Sequence, residues 1–191
     1  MARLHQHSSN WALPSEFSRP THDVEQIKSA TSQLGILVQN KIISAADYQI
    51  FQNAAVQVQI FMTELQQTRS TWGLIHADLH QGNYLLYGED VCPIDFSRCG
   101  FGFYLYDIGQ AVGDIDAPLR SHFFEGYIRI RSLPTDYQAI VEAFFVGAIV
   151  ENFAFLSANP NEYEWLSRAV PYVIENHLRP YLEGGHFLFT Q

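Results

Sequence analysis

One short central segment concentrates the residues able to do chemistry. His76-Ala-Asp78-Leu-His80-Gln-Gly-Asn83 is followed by Ile94-Asp95-Phe96 and then by Tyr106-Asp107. Phosphoryl transfer needs a carboxylate to orient and deprotonate the attacking hydroxyl, and oxygen ligands for the Mg²⁺ that bridges the nucleotide phosphates. Asp78 and Asn83 have the offset of the catalytic-loop pattern H-x-D-x-x-x-x-N, in which the Asp is the base and the Asn holds a metal. Asp95 stands where the metal ligand of a D-F-G element would be. A different chemistry is open to part of the same set. His76-x-Asp78-x-His80 in an extended segment would put three ligands on one face, as a zinc metallohydrolase requires, but it leaves Asn83 without a role.

The elements that must position these groups change character along the chain. Ala2 to Ser9 reads as helix with Leu4 as its apolar anchor, and Asp23 opens a helix that Gly35 would stop. Ser44-Ala-Ala-Asp47 has capping-box spacing, and Tyr48, Phe51, Ala55, Val58, Met62 and Leu65 recur in steps of three and four, which predicts a long amphipathic helix. From Gly73 the pattern shortens. Leu74-Ile75, Tyr84–Tyr87 and Val91–Ile94 are short apolar runs, and Gly88-Glu89-Asp90 between the last two predicts a hairpin turn. The chemistry therefore falls on loops beside short strands, held by a rigid frame. Gly100 and Gly102 read as a tight turn. Beyond Asp107, helices are expected over 108–112, 118–131, 135–156 and 162–182, the last bent or broken at Pro171. The expected fold class is mainly α with a small β-hairpin insert, built as one domain over 1–191.

Composition narrows the function classes. The apolar fraction of 47% and the lack of linker-like runs describe a packed chain long enough for a proper core. A formal charge of −9 with only 11 Lys and Arg argues against nucleic acid and anionic membrane as partners, and weakly favours a cationic substrate. Cys92 and Cys99, the only cysteines, stand in neither a C-x-x-C nor a zinc-finger spacing, so a reducing compartment rather than a disulfide framework is expected. The N-terminal residues lack the apolar core of a signal peptide, and the longest apolar run, 143–150, is far short of a membrane span. A cytoplasmic protein is the expectation.

Taken together, His76 to Asn83, Ile94-Asp95-Phe96, Gly100-Phe-Gly102 and Tyr106-Asp107 resemble the aminoglycoside phosphotransferase and choline kinase family, a branch of the protein-kinase-like fold. Ala2-Arg-Leu-His5 with Trp11-Ala-Leu-Pro14 resembles that family's first helix after the hinge. The resemblance covers nearly the whole chain but only the family's C-terminal lobe. It implies an ATP- and Mg²⁺-dependent O-phosphotransferase acting on a small hydroxyl-bearing substrate. Asp78 would be the catalytic base, Asn83 and Asp95 would bind Mg²⁺, and His76 and Asp107 would brace the loop. Ser97 follows Asp95-Phe96 where a D-F-G element has Gly, a variation that the small-molecule branch of the family tolerates. No G-x-G-x-x-G loop precedes the motif, and Lys28 and Lys41, the only lysines, fall in expected helices rather than on a strand of V-A-I-K type. The N-terminal β lobe that clamps the nucleotide is missing from this reading.

Two further functions stay open: a non-catalytic remnant that binds a partner or itself through an exposed face, and the metallohydrolase. For individual residues the plain alternatives are specific. Asp107 would serve as an N-cap, His80 would face substrate or solvent, Arg98 would be a lone exposed cation rather than a phosphate contact, and Glu142, Glu151, Glu162 and Glu164 would lie on solvated helix faces rather than receive a cationic substrate.

Overall fold

The computed structural model describes residues 1–88 and 90–189. They group into two compact units, one of Met1–His22 and Gln66–Val141, the other of Asp23–Leu65 with the residues from Glu142 on.

The first unit holds two small sheets and the helices around them. It begins with α1 (Ala2–Asn10) and the short strand β1 (Thr21–His22). Helix α1 buries Ala2 and His5, while Leu4, the expected anchor, is only half-buried. A polar residue holds that helix down because its partner is polar too, as the site below makes clear. Strands β2 (Trp72–Ile75), β3 (Tyr84–Tyr87), β4 (Asp90–Pro93) and β5 (Gly100–Phe103) follow. β3 and β4 form the expected antiparallel hairpin, pairing Tyr84 with Pro93 and Tyr87 with Asp90. Gly88 takes φ 61°, which glycine adopts freely; Glu89 of the expected turn lies outside the described residues.

The second sheet has the order β1-β5-β2, with β5 parallel to β1 and antiparallel to β2. This corrects the reading of Gly100 and Gly102 as a turn. A Cβ on Gly100 would stand 2.5 Å from Pro20 O, and one on Gly102 would stand 2.5 Å from Ile75 Cδ1. At Gly100 the backbone at Pro20 passes too close to the strand for a side chain, whereas at Gly102 it is the tip of the Ile75 side chain that fills the space. Helices α5 (Tyr104–Gly113), α6 (Arg120–Ile128) and the start of α7 (Tyr137–Ser157) complete the unit. Helix α5 begins four residues earlier than expected and takes Phe103 as its N-cap, so Asp107 lies inside its first turn rather than capping it.

The second unit is helical: α2 (Val24–Gln33), α3 (Gly35–Gln39), α4 (Ala45–Glu64), α8 (Tyr163–Val173) and α9 (Arg179–Leu182), with most of α7. Asp23 caps α2 by accepting from Gln26 N. Gly35 does not end the helical run but starts α3. Lys41 sits in a turn at φ 57°, not in a helix. The capping box forms as the spacing predicts: Ser44 accepts from Asp47 N and Asp47 from Ser44 N, satisfying two donors that a helix start leaves open. Phe51, Val58 and Met62 of α4 are buried. Pro171 is accommodated inside α8. The irregularity falls just after it, over Ile174–Leu178, where the helix widens and Arg179 N–H reaches back five residues to Ile174 O.

Helix α7 is long and apolar enough to cross a membrane by length and composition, contrary to the sequence expectation, but most of it is buried in the fold. Glu142 and Glu151 on it are buried at 3% and 4% exposure, so they are not the solvated face expected for them. Glu142 shows why: its carboxylate accepts Phe187 N–H and Leu188 N–H, each at 2.8 Å, and meets His186 Nδ1 at 2.7 Å. It thereby ties down the C-terminal segment.

Candidate active site

All five candidate residues lie in the first unit, and the backbone brings them together through short bonds. The segment after β2 turns sharply at Ala77, whose φ of 59° is an unfavourable region for a side chain with a Cβ. Asp107 holds it there, because Oδ1 accepts Ala77 N–H at 2.8 Å and Oδ2 accepts His76 N–H at 3.1 Å. Past Asp78, His80 caps a 3-10 turn over Gln81–Asn83, its Nδ1 accepting from Gly82 N–H at 3.1 Å. The turn returns Asn83 to Asp78: Asn83 Nδ2 donates to Asp78 O at 2.8 Å and lies 3.3 Å from Asp78 Oδ2.

Asp95 is brought alongside by the hairpin. Ile94 N–H donates to Asn83 O at 2.9 Å, and Ile94 O in turn receives His76 Nε2 at 3.0 Å. His76 is fully buried, packs against the Phe96 ring with centroids 4.6 Å apart, and has Nε2 as the protonated nitrogen because its partner is a carbonyl. Asp95 itself is exposed and takes φ 56°, a conformation that Asp tolerates better than most residues. The Ser97 hydroxyl and Ser97 N–H hold its carboxyl below the ordinary range, so it stands as an anion.

The segment thus presents Asp78 with one carboxylate oxygen toward the Asn83 amide and the other 3.5 Å from Arg98 Nη1, both side chains about a quarter exposed. Arg98 is therefore an ion-pair partner of Asp78 and not the lone exposed cation expected. His80 is exposed and spends Nδ1 on the turn. His76, Asp78 and His80 do not share a face, because the chain between them is a loop with a left-handed residue and not a strand. Among the described residues no three His, Cys, Asp or Glu groups converge as a metal cage. The zinc hydrolase set is excluded on that geometry.

A Mg²⁺ ion bound with nucleotide asks less of the protein: one or two oxygen ligands, with phosphates and waters completing its shell. Asn83, whose NH₂ is spent on Asp78, keeps its amide oxygen as an acceptor, and Asp95 offers an exposed carboxylate on the adjoining residues. These two fit such an ion.

Sequence reasoning missed the groups behind the loop. His5 on α1 donates Nε2–H to Asp107 Oδ2 at 2.9 Å, and its Nδ1 accepts from Tyr127 OH at 2.9 Å. That tautomer follows from an ionised carboxylate, which can only accept. Burial lowers the His5 pKa against the pull of Asp107, and the ring stays neutral. Burial would raise the Asp107 carboxyl, but the His5 hydrogen bond and the Ala77 and His76 N–H groups outweigh it and leave it below its usual value. Burial likewise pushes Tyr127 up to about 12. Arg131 closes the network, bonding His5 O and Ser9 Oγ at 3.1 Å each and lying 4.5 Å over the Tyr104 ring. Nothing in local spacing announces a pair 102 residues apart.

A family model described as the phosphotransferase enzyme family matches residues 1–141. A solved structure of a microcompartment-associated aminopropanol kinase superposes with a TM-score of 0.80 at 28% identity, covering 99% of this chain and 62% of that one. An amicoumacin kinase solved with AMP-PNP and Ca²⁺ gives 0.66 at 17% identity, over 97% of this chain and 57% of that one. A choline kinase from Cryptosporidium parvum Iowa II gives 0.62 at 15%, over 100% and 67%. The last two likenesses show the fold alone, which is kinase-like with a helical body and few strands. No curated protein sequence matches. The chain spans about six-tenths of the aminopropanol kinase that it matches. With the family model covering most of its length, the chain belongs to the phosphotransferase enzyme family.

Proposed function

We propose that this chain carries the catalytic loop and metal site of an ATP- and Mg²⁺-dependent kinase that phosphorylates a hydroxyl group on a small molecule, in the cytoplasm. Asp78 is the base that orients and deprotonates the hydroxyl. Asn83 and Asp95 take Mg²⁺, which supplies charge neutralisation of the phosphates when bound. His76 and Asp107 brace the loop. The observation that carries this reading is the pair of bonds from Asn83 Nδ2 to the carbonyl and carboxylate of Asp78, with Asp95 one residue past the Ile94–Asn83 bond. The Asp78 carboxylate, the Asn83 amide and the Asp95 carboxylate thus stand on linked segments of a braced loop, which supports the roles proposed for them.

The substrate class we favour is a small amino alcohol. The negative net charge suits a cation, and the relative at 28% identity is named an aminopropanol kinase. In the resembling family the nucleotide lies between two lobes, so the assay includes a nucleotide-clamping lobe. The test is phosphoryl transfer from ATP to a panel of amino alcohols and neutral alcohols, followed by ³¹P NMR, with the chain alone and with a lobe from a longer relative supplied. Mg²⁺-dependent product from an amino alcohol that disappears in Asp78→Asn is expected. Equal turnover by wild type and Asp78→Asn would refute the role of Asp78.

A second reading, a partner-binding or self-associating module, draws on the hairpin. Leu85, Leu86, Tyr87 and Val91 are 58%, 73%, 82% and 57% exposed, so both faces of β3 and β4 offer apolar surface. Sedimentation that stays monomeric at high concentration would remove the self-associating form.

A further inference from the structure

Helix α5 runs along the catalytic segment and fastens it in two places. Asp107 holds the start, at His76 and Ala77. Asp114, the C-cap of α5, stands seven residues on, two helical turns or about 10 Å along the axis. Its Oδ2 accepts Gln81 N–H at 2.9 Å, and its backbone carbonyl accepts Gln81 Nε2 at 3.0 Å. Gln81 is the first residue of the 3-10 turn that ends at Asn83. Backbone donors at the start of such a turn have no partner within it. Here Gln81 N–H goes to Asp114 and Gly82 N–H to His80 Nδ1.

We propose that Asp114 is the positioning residue for Asn83. Through its two bonds to Gln81 it fixes the near end of a three-residue turn, and the turn carries that constraint to the Asn83 amide without any contact between Asp114 and Asn83. The loop is then set from both sides: Asp107 determines where Asp78 stands, and Asp114 determines where the Asn83 oxygen is aimed. This rests on the reading of Asn83 as a Mg²⁺ ligand. Asp114 and Gln81 are both exposed, so water takes over their bonds when either is truncated and the fold loses little. The loss falls on the aim of Asn83. Its bond to Asp78 and the His80 cap remain, so the effect is a weakening of metal binding and not its abolition.

The experiment is a Mn²⁺ titration by electron paramagnetic resonance in the presence of AMP-PNP, on wild type, Asp114→Ala, Asp114→Asn and Gln81→Ala. Removing an outer partner of a metal ligand lowers affinity by about 10–100-fold in known sites. For this solvent-exposed partner we expect the low end in Asp114→Ala, about tenfold weaker Mn²⁺ binding, with the Asn variant within about threefold of wild type because it keeps an acceptor oxygen in place. Gln81→Ala, which retains the backbone bond, lies between wild type and Asp114→Ala. Thermal midpoints of all four stay within about 2 °C, as expected for an exposed site. Mn²⁺ affinity unchanged in Asp114→Ala overturns the proposal, and so does an equal loss in Asp114→Ala and Asp114→Asn. A wild-type chain that binds AMP-PNP but no Mn²⁺ overturns instead the assignment of Asn83, and this proposal with it.

Discussion

Replacing Asp107 by Ala removes the acceptor for three donors in a fully buried place: Ala77 N–H, His76 N–H and His5 Nε2–H. Each buried donor left without a partner costs about 1–3 kcal/mol, and relief from burying a carboxylate returns part of that, for a net loss of about 3–5 kcal/mol. For a chain of this size each kcal/mol moves the thermal midpoint by about 2–4 °C, so the midpoint should fall by about 6–20 °C. Asp107→Asn keeps one acceptor oxygen but turns an NH₂ toward donors, and should fall between wild type and the Ala variant. Glu164→Ala, which breaks only the exposed pair with Arg168, serves as the control and should shift stability by about 0.5 kcal/mol or less. Differential scanning calorimetry at pH 7.5 gives the comparison. A midpoint for Asp107→Ala within about 2 °C of wild type would refute the claim that this carboxylate holds the loop.

Three other outcomes are expected. Asp78→Asn should lower phosphoryl transfer by about 10²–10⁴-fold while leaving the melting midpoint near that of wild type, since Asp78 is partly exposed; a midpoint loss as large as that of Asp107→Ala would mean that its role is structural. Glu142→Ala strips the acceptor from His186, Phe187 and Leu188, so chymotrypsin should cleave at Phe187 faster than in wild type, read by mass spectrometry; equal rates would show that the segment is held by other contacts. Because His5 stays neutral in the fold, the unfolded chain binds a proton that native His5 does not once pH drops below about 6.5. Stability should therefore be fully present above that pH, fall as pH drops toward the lowered native value, and fall further below about pH 4 as Asp107 protonates. His5→Gln should flatten the first part of that fall in urea titrations at pH 5 to 7, and an unchanged slope would contradict the neutral assignment.

Local signals in the sequence were those whose cause is local. The capping box at Ser44 and Asp47, the β3–β4 hairpin and the long period of α4 depend on neighbours a few residues away, and the structure has them. The kinase-like fold and the family were legible from the central motif, since the offsets of Asp78, Asn83 and Asp95 reflect a loop and hairpin of fixed size. What failed depended on distant chain. Gly100 and Gly102 resemble turn residues until Pro20 and Ile75 are found against the strand. His5 resembles a surface residue of a short helix until Asp107 and Tyr127 meet it. Glu142 resembles a solvated charge until the C-terminal N–H groups close over it. Asp114 could have been noticed, since it lies two turns from Asp107 on one helix face, but the spacing alone does not say that Gln81 is its partner.

The central claim is that Asp78, Asn83 and Asp95 form a phosphoryl-transfer site whose metal is held by Asn83 and Asp95. AMP-PNP is titrated calorimetrically, with and without Mg²⁺, into the chain and into Asp95→Asn, each with a lobe from a longer relative supplied. Binding that requires Mg²⁺ and is lost in Asp95→Asn is expected. Binding that is identical with and without Mg²⁺, or undiminished in Asp95→Asn, would contradict it.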